Sequence, residues 1–347
     1  MFSLFRELLL RTSGDILMSF EWMNEIDQKF PFTRPDYGMA DFIKELEDKG
    51  FITRQDTRQF QNPYKASSKL EIDIRKSSFE EIFGRMRKTR SGNHSNQKNG
   101  RGDEIDDQLR NFEFGDDFER VQASESLKNA YLKNSTPEYL EEADLVVSDR
   151  LQENQCSTVL MIDISHSMIL YGEDRITPAK KVGLALAHMI TQFYPKDTLD
   201  VIVFGDDAWK VELKDLPFLE VGPYHTNTVA GLELAIDLLN KRRNPNKMIM
   251  MITDGKPSCI KKGKEYYKNS FGLDRQIIQR TLGLAVKCRR LQIDINTFMV
   301  ASDPYLIEFI EEFTKANQGK SFYTSLDGLG EKILVNYKNN RKKNSSR

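Results

Sequence analysis

Three oxygen-bearing side chains follow a continuous apolar segment in the middle of the chain. Residues 158–162, Thr-Val-Leu-Met-Ile, predict a strand that is buried on both faces. Asp163, Ser165 and Ser167 come directly after it, where a loop begins. Ligands of open α/β sheets bind at this carboxyl end of the strands. A carboxylate and two hydroxyls suit a small hard cation, so the pattern indicates Mg²⁺, with Mn²⁺ as the alternative.

Two later segments provide further oxygen ligands for the same edge of the sheet. Thr226 and Thr228 lie in a loop that leads into an apolar helix. A second buried strand, predicted over 247–253, ends at Asp254, and Gly255 allows a sharp turn beside a ligand. Because right-handed crossovers bring these ends to one edge, a second carboxylate and a further hydroxyl are expected near the first three side chains.

The order and spacing of these residues resemble those of the von Willebrand factor type A (vWA) domain. In that family, a D-x-S-x-S segment, a Thr and a strand-terminal Asp form a metal-ion-dependent adhesion site, and an acidic side chain of a partner protein completes the coordination. The resemblance implies that Thr226 holds the metal from the second loop, with Thr228 as the alternative. The implied metal ligands are Asp163, Ser165, Ser167, Thr226 and Asp254, and the implied supporting residues are His166, His225 and Gly255.

A structural role is the alternative for each of these side chains taken singly. Ser165 and Ser167 could cap the helix that follows, and Thr226 could be an N-cap. Asp254 could accept hydrogen bonds from loop amides. Because all of these side chains are expected at one edge of the sheet, a metal site is favoured over separate structural roles.

Four segments narrow the resemblance to bacterial stand-alone type A proteins that are related to the magnesium chelatase D subunit. They are 175–187, 203–207, 222–228 and 252–258. In that group the type A protein works with an AAA+ ATPase of MoxR or chelatase-I type. This implies a metal-dependent adaptor that binds an acidic residue of its partner. Residues 1–150 depart from the D subunit because they carry no Walker motif and are too short for an AAA+ module.

Catalytic classes fit the sequence less well, so we expect a protein that is not itself an enzyme. Haloacid dehalogenase-type phosphatases place a second carboxylate where this chain has Ser165. The segment 255–258 lacks the earlier glycine of a P-loop. Two alternatives stay open, namely an accessory subunit of a metal-inserting chelatase and a metal-dependent hydrolase that uses His225 as its base.

The composition narrows the classes of function and the cellular location that we expect. The chain has 347 residues and a formal net charge of −1, which gives no reason to expect nucleic-acid binding. It has three cysteines, at 156, 259 and 288, without paired spacing, and these predict free thiols. The first residues are interrupted by charge too early for a signal segment, and no stretch is long and apolar enough for a membrane span. A cytoplasmic protein without membrane contact is expected.

Three regions follow from the patterning. Residues 1–84 predict a small helical module, 85–135 a charged flexible linker, and 136–347 the vWA domain. Within the module, Trp22 and Phe42 are expected in the core. From 157 onward strand and helix patterns alternate, with strands predicted over 157–163, 198–204 and 247–253 and an edge hairpin near 209–213. The predicted fold class is therefore α/β, with a Rossmann-like, mostly parallel sheet that has helices on both faces.

Overall fold

The structure is a computed structural model, and it describes most of the chain. The residues outside the description are 56–61, 90–107, 114–117, 119–120, 134–139, 150–154, 173, 255, 270–271, 300–303, 324–327, 331, 334 and 338–347. The described helices are α1 (Phe2–Arg11), α2 (Ile16–Lys29), α3 (Met39–Asp48), α4 (Ser68–Thr89), α5 (Ala123–Lys133), α6 (Ile176–Phe193), α7 (Thr228–Asn240), α8 (Arg275–Arg290) and α9 (Pro304–Asn317). The strands are β1 (Ile52–Arg54), β2 (Tyr64–Ala66), β3 (Gln108–Asn111), β4 (Val146–Asp149), β5 (Cys156–Asp163), β6 (Thr198–Phe204), β7 (Ala208–Val211), β8 (Asn246–Thr253), β9 (Cys259–Lys262), β10 (Glu265–Lys268), β11 (Ile293–Met299) and β12 (Lys320–Tyr323).

Six strands form the main sheet in the order β12-β11-β8-β5-β6-β7. The first five run parallel to one another, and β7 pairs antiparallel with β6 at one edge. The predicted α/β class with a mostly parallel sheet is confirmed. The predicted strand over 198–204 matches β6 residue for residue, and the predicted hairpin near 209–213 is the β6–β7 pair.

The central strand β5 is continuously apolar because both of its faces are covered. All eight of its residues are buried. Leu160 and Ile162 belong to a core on one face, together with residues of α6. Val159 and Met161 belong to a second core on the other face, with residues of α7, α8 and α9. Alternating side chains along one strand thus anchor helices on both sides of the sheet.

The N-terminal helices complete the first of these cores. Phe5 of α1, Phe42 of α3 and Leu70 of α4 are buried in the same cluster as Leu160 and Ile162. The described residues between 1 and 92 and between 155 and 340 make up one compact unit. Helices α1, α3 and α4 therefore share a core with one face of the sheet.

A second compact unit contains the described residues between 93 and 154. Its strands β3 and β4 pair antiparallel, and Val121 forms an isolated bridge to Val147 of β4. Helix α5 packs against this pair: the Ser126 hydroxyl accepts a hydrogen bond from the Val146 N–H at 2.9 Å. Part of the segment that the sequence predicts as a linker, 85–135, thus contains regular structure, and another part lies outside the described residues.

In the described part of the chain, no helix is long and apolar enough to cross a membrane. Cys156, Cys259 and Cys288 are buried thiols that form no disulfide bond, as predicted. Burial raises the pKa of Cys259 to about 11 and that of Cys288 to about 12. The thiolate forms that react with oxidants or metals are therefore disfavoured at these two positions.

A buried lysine joins the N-terminal helices to α6. The Lys180 side chain has no exposed surface. Its Nζ donates hydrogen bonds to the carbonyl oxygen of Leu10 at 3.1 Å and to Oγ of Ser13 at 3.0 Å. Burial lowers the pKa of Lys180 from 10.5 to about 8, because the charged ammonium loses its hydration.

This shift predicts a pH-dependent stability. Between pH 8 and pH 10.5 the unfolded chain holds a proton on Lys180 that the folded chain has released, so stability rises with pH through this window. We expect the free energy of unfolding to rise by about 2 kcal/mol more in the wild type than in Lys180→Met between pH 8 and pH 10. Urea unfolding of both proteins across this range measures the difference.

Lys181→Met is the matched control, since Lys181 lies next to Lys180 but forms ion pairs with Glu7 and Glu81. It is expected to keep the pH dependence of the wild type. If the free energy of unfolding changed equally with pH in the wild type and in Lys180→Met, the lowered pKa of Lys180 would be contradicted.

Candidate metal centre

The parallel pairing of β5 and β8 brings two carboxylates to one edge of the sheet. Ile162 of β5 pairs with Ile252 of β8, so both strands end at the same level. Asp163 is the last residue of β5, and Asp254 follows the last residue of β8. Asp163 has no exposed surface and Asp254 is 4% exposed. Two acidic side chains therefore share one poorly hydrated position.

Hydroxyl groups join these carboxylates into one cluster. The Ser165 N–H donates to Oδ1 of Asp163 at 2.9 Å. Ser165 Oγ lies 3.0 Å from Ser167 Oγ and accepts a hydrogen bond from Thr226 Oγ1 at 3.0 Å. The Ser167 hydroxyl in turn donates to the carboxylate of Asp254. The structure thus brings together all five side chains that the vWA resemblance implies as metal ligands.

Backbone hydrogen bonds fix the position of Thr226. Its N–H donates to Oγ of Ser258 at 3.0 Å. Its carbonyl oxygen accepts from the N–H groups of Ser258 at 2.9 Å and Cys259 at 3.2 Å. Asn227 caps α7 by accepting from the Ala230 N–H at 3.0 Å. The loop is therefore held both by the segment after β8 and by the helix that it begins.

The two threonines that the sequence leaves as alternatives have different surroundings. Thr228 is the first residue of α7 and is 5% exposed. Thr226 is 3% exposed, and its hydroxyl is the one that reaches Ser165 in the described hydrogen bonds. The geometry therefore favours Thr226 as the hydroxyl from the second loop.

The electrostatics of the cluster favour a bound cation. Burial and the nearby charge of Asp254 raise the pKa of Asp163 to about 7. Burial also raises the pKa of Asp254, while the hydrogen bond from Ser167 and the charge of Arg175 oppose this effect. Two carboxylates that repel each other in a buried position are stabilised by a positive charge between them.

The chemistry of the five side chains fits Mg²⁺ or Mn²⁺. All five present hard oxygen atoms, and none presents nitrogen or sulfur. Among the described residues, no group of three or more His, Cys, Asp or Glu side chains is placed to hold a metal ion. A cation at this edge would accordingly depend on hydroxyl ligands as well as on the two carboxylates.

Two of the supporting residues that the resemblance implies, His166 and His225, lie in the loops that carry the clustered side chains. His166 is exposed, and its backbone N–H donates to the Tyr224 carbonyl oxygen at 3.1 Å. The Nδ1 atom of His225 lies 3.5 Å from Oδ1 of Asp206. Gly255 lies outside the described residues. The two histidines thus belong to the site loops, and the side chain of His225 contacts an aspartate that is not one of the five clustered residues.

Two residues of the site were missed in the sequence analysis. Thr253 Oγ1 donates to Oδ2 of Asp163 at 2.7 Å, and Arg175 Nη1 lies 3.3 Å from Oδ2 of Asp254. A polar residue next to Asp254 at the end of an apolar strand could have drawn attention to Thr253. Arg175 is 79 residues from Asp254, so no local pattern indicates their contact.

A six-stranded sheet with this order, helices on both faces and this cluster at its edge defines a vWA domain. Residues 156–338 match the family model described as "Rv0959-like protein, vWA domain", and residues 104–150 match "Rv0959-like protein, third domain". The chain belongs to the Rv0959-like family of vWA proteins.

Its relatives include "Uncharacterized protein Rv0959" of Mycobacterium tuberculosis and "Uncharacterized protein Mb0984" of Mycobacterium bovis. Each is 26% identical over 309 residues, which cover 86% of this chain and 45% of the relative. The chain thus spans less than half the length of these relatives.

Similar solved structures include the vWA domain of SpRpn10, with a TM-score of 0.38 and 16% identity, covering 53% of this chain and 95% of that one. The pilus adhesin SpaC of Lactobacillus rhamnosus GG has a TM-score of 0.43 and 16% identity, covering 55% of this chain and 30% of that one. The PilB minor pilin of Streptococcus sanguinis has a TM-score of 0.42 and 15% identity, covering 58% and 64%.

The different surroundings of the two threonines predict different effects on metal affinity. Thr226→Val removes a hydroxyl that belongs to the cluster, so we expect Mg²⁺ to bind about tenfold more weakly or worse, as for the loss of about 1.4 kcal/mol. Thr228→Val is the isosteric control and is expected to bind Mg²⁺ as the wild type does. Isothermal titration calorimetry of the three proteins measures these affinities. Weaker binding by Thr228→Val alone would reverse the assignment.

Proposed function

We propose that this chain is a magnesium-dependent protein-interaction module that binds an acidic side chain of a partner protein. The observation that carries the proposal is the hydrogen-bonded cluster of two buried carboxylates and three hydroxyls at the sheet edge. When bound, the cation would supply a positive charge and a coordination position that an outside carboxylate can fill. We further propose that the module is not itself an enzyme.

The residues of the chain have separate tasks in this proposal. Asp163 and Asp254 would provide the negative charge that holds the cation. Ser165, Ser167 and Thr226 would provide neutral oxygen atoms, which leave the cation under-neutralised and attractive to a further carboxylate. The described hydrogen bonds support a site that is preorganised, because each of the three hydroxyls already contacts another member of the cluster.

Exposed aromatic side chains next to the cluster support binding of a protein instead of a small ion alone. Tyr224 lies two residues before Thr226 and is 36% exposed, and Trp209 on the edge strand β7 is 42% exposed. Their rings are 6.2 Å apart in a T-shaped arrangement. They line an open groove of about 700 Å³ that also includes Ile164, the residue between Asp163 and Ser165. Half-exposed Trp and Tyr side chains are frequent anchors of protein interfaces.

The partner that we propose is an AAA+ ATPase of MoxR or chelatase-I type, for which the chain would serve as an adaptor. The support for this choice is the resemblance of segments such as 175–187 and 252–258 to bacterial stand-alone type A proteins. A role as an accessory subunit of a metal-inserting chelatase is the related alternative. A metal-dependent hydrolase that uses His225 as its base is the more distant alternative.

Affinity capture tests the proposed function. The immobilised chain is incubated with cell lysate in MgCl₂ or in EDTA, and captured proteins are identified by mass spectrometry. We expect an AAA+ ATPase to be captured in MgCl₂ and to be lost in EDTA and with Asp163→Ala. Asp163→Ala removes a buried carboxylate whose charge is opposed by burial and by Asp254, and circular dichroism checks that the variant is folded.

Asp237→Ala is the control, since Asp237 is an exposed acidic residue of α7 outside the cluster. It should capture the same ATPase as the wild type. Capture that is unaffected by EDTA and by Asp163→Ala would contradict a metal-dependent module. Magnesium-dependent capture of other proteins without any AAA+ ATPase would contradict the adaptor role only.

A further inference from the structure

A positively charged side chain of this chain already lies at the carboxylate cluster. The Nη1 atom of Arg175 is 3.3 Å from Oδ2 of Asp254 and donates a hydrogen bond of 3.5 Å to the carbonyl oxygen of Ser167. The side chains of Arg175 and Asp254 are 13% and 6% exposed. The guanidinium group is therefore held at the cluster and is largely shielded from water.

The position of Arg175 is fixed by the backbone on both sides. Its N–H donates to the carbonyl oxygen of Met168 at 3.0 Å, and helix α6 begins at the next residue. Its own carbonyl oxygen accepts from the Ala179 N–H in the first turn of α6. Because α6 is packed in the core beneath the sheet, Arg175 is tied to the scaffold and contacts Asp254 from there.

Arg175 and a divalent cation would stabilise the same negative charge. Without a cation, Arg175 offsets part of the repulsion between Asp163 and Asp254. A divalent cation brought to these carboxylates would meet the positive guanidinium group within a few ångströms, where charges of like sign repel strongly in a poorly hydrated site. The two positive groups are therefore expected to oppose each other.

We propose that Arg175 is an internal counter-ion that competes with the divalent cation for Asp254 and so sets the metal affinity of the site. This inference rests on the proposed function, because it concerns the regulation of the same centre. In the metal-free protein Arg175 stabilises the cluster, and metal binding requires its ion pair with Asp254 to be given up. A higher concentration of free Mg²⁺ is then needed to occupy the site than would be needed if the two carboxylates and three hydroxyls were present without Arg175.

The test compares metal affinities of Arg175 variants. Arg175→Gln removes the charge but keeps a polar side chain, and it is expected to bind Mn²⁺ and Mg²⁺ at least about tenfold more tightly than the wild type. Arg175→Lys keeps the positive charge, and its metal affinity is expected to stay within about threefold of that of the wild type. Electron paramagnetic resonance of free Mn²⁺ measures the dissociation constant for Mn²⁺. Competition of Mg²⁺ with bound Mn²⁺ then gives the dissociation constant for Mg²⁺.

Arg242→Gln is the matched control. Arg242 forms an ion pair of 2.7 Å with the buried Asp200, outside the cluster. Its loss should not change the metal affinity of the folded protein, as verified by circular dichroism. A thermal unfolding series gives a second readout: Arg175→Gln is expected to melt below the wild type in EDTA, and this gap is expected to narrow or reverse in saturating Mg²⁺.

The outcomes separate the inference from the proposed function. Metal binding by the wild type with equal or weaker binding by Arg175→Gln would overturn the counter-ion role and leave the proposed function intact. Tighter binding by Arg175→Gln together with wild-type affinity in Arg175→Lys and Arg242→Gln would support it. If neither the wild type nor Arg175→Gln binds a divalent cation, both the inference and the magnesium-dependent function fail.

Discussion

The central constraint in this molecule is the burial of two carboxylates at the ends of neighbouring parallel strands. The pairing of β5 with β8 places Asp163 and Asp254 at the same edge, and neither side chain is more than slightly exposed. Burial and mutual repulsion raise the free energy of this arrangement, as the pKa of about 7 for Asp163 indicates. A positive charge at this edge lowers the free energy of the two buried carboxylates again. A bound cation and Arg175 are two ways to provide that charge.

The rest of the domain keeps this arrangement rigid. The cores on the two faces of the sheet fix β5 from both sides, and the N-terminal helices complete one of them. Hydrogen bonds between Thr226 and Ser258 hold the Thr226 loop against the segment after β8, and the hydrogen bond from the Thr226 hydroxyl to Ser165 holds it against the loop after β5. A site with this support can keep its oxygen atoms in place without a ligand, which reduces the entropic cost of binding. The hydroxyl-rich composition then leaves charge on a bound cation for a partner to neutralise.

The sequence predicts the sheet well because its strands are long apolar runs with clear ends. Strands β5, β6 and β8 were predicted to within one residue at each end, and their order in the chain brings the five clustered side chains together. The hairpin of β9 and β10 was missed, since each strand has four residues and much of the hairpin is exposed Lys and Tyr. Gly263, with a φ of +65° at its turn, is the signal that could have revealed it.

The features that could not be predicted from the sequence depend on contacts between residues that are far apart in the chain. Trp22 was expected in the core, but it is 39% exposed because helical spacing alone does not tell which apolar positions of α2 face inward. The choice between Thr226 and Thr228 depends on the hydrogen bond from the Thr226 hydroxyl to Ser165, 61 residues earlier. The contact of Arg175 with Asp254 likewise appears only after the chain has folded.

The most direct test of the account is a crystal structure of the chain grown with MnCl₂, with diffraction data collected near the manganese absorption edge. A metal centre at this edge predicts an anomalous difference peak within coordination distance of the Ser165 and Ser167 hydroxyl oxygens, between Asp163 and Asp254. Ordered side chains at this edge, no anomalous peak there and the Arg175–Asp254 ion pair still in place at saturating Mn²⁺ would contradict the claim that this cluster is a metal centre.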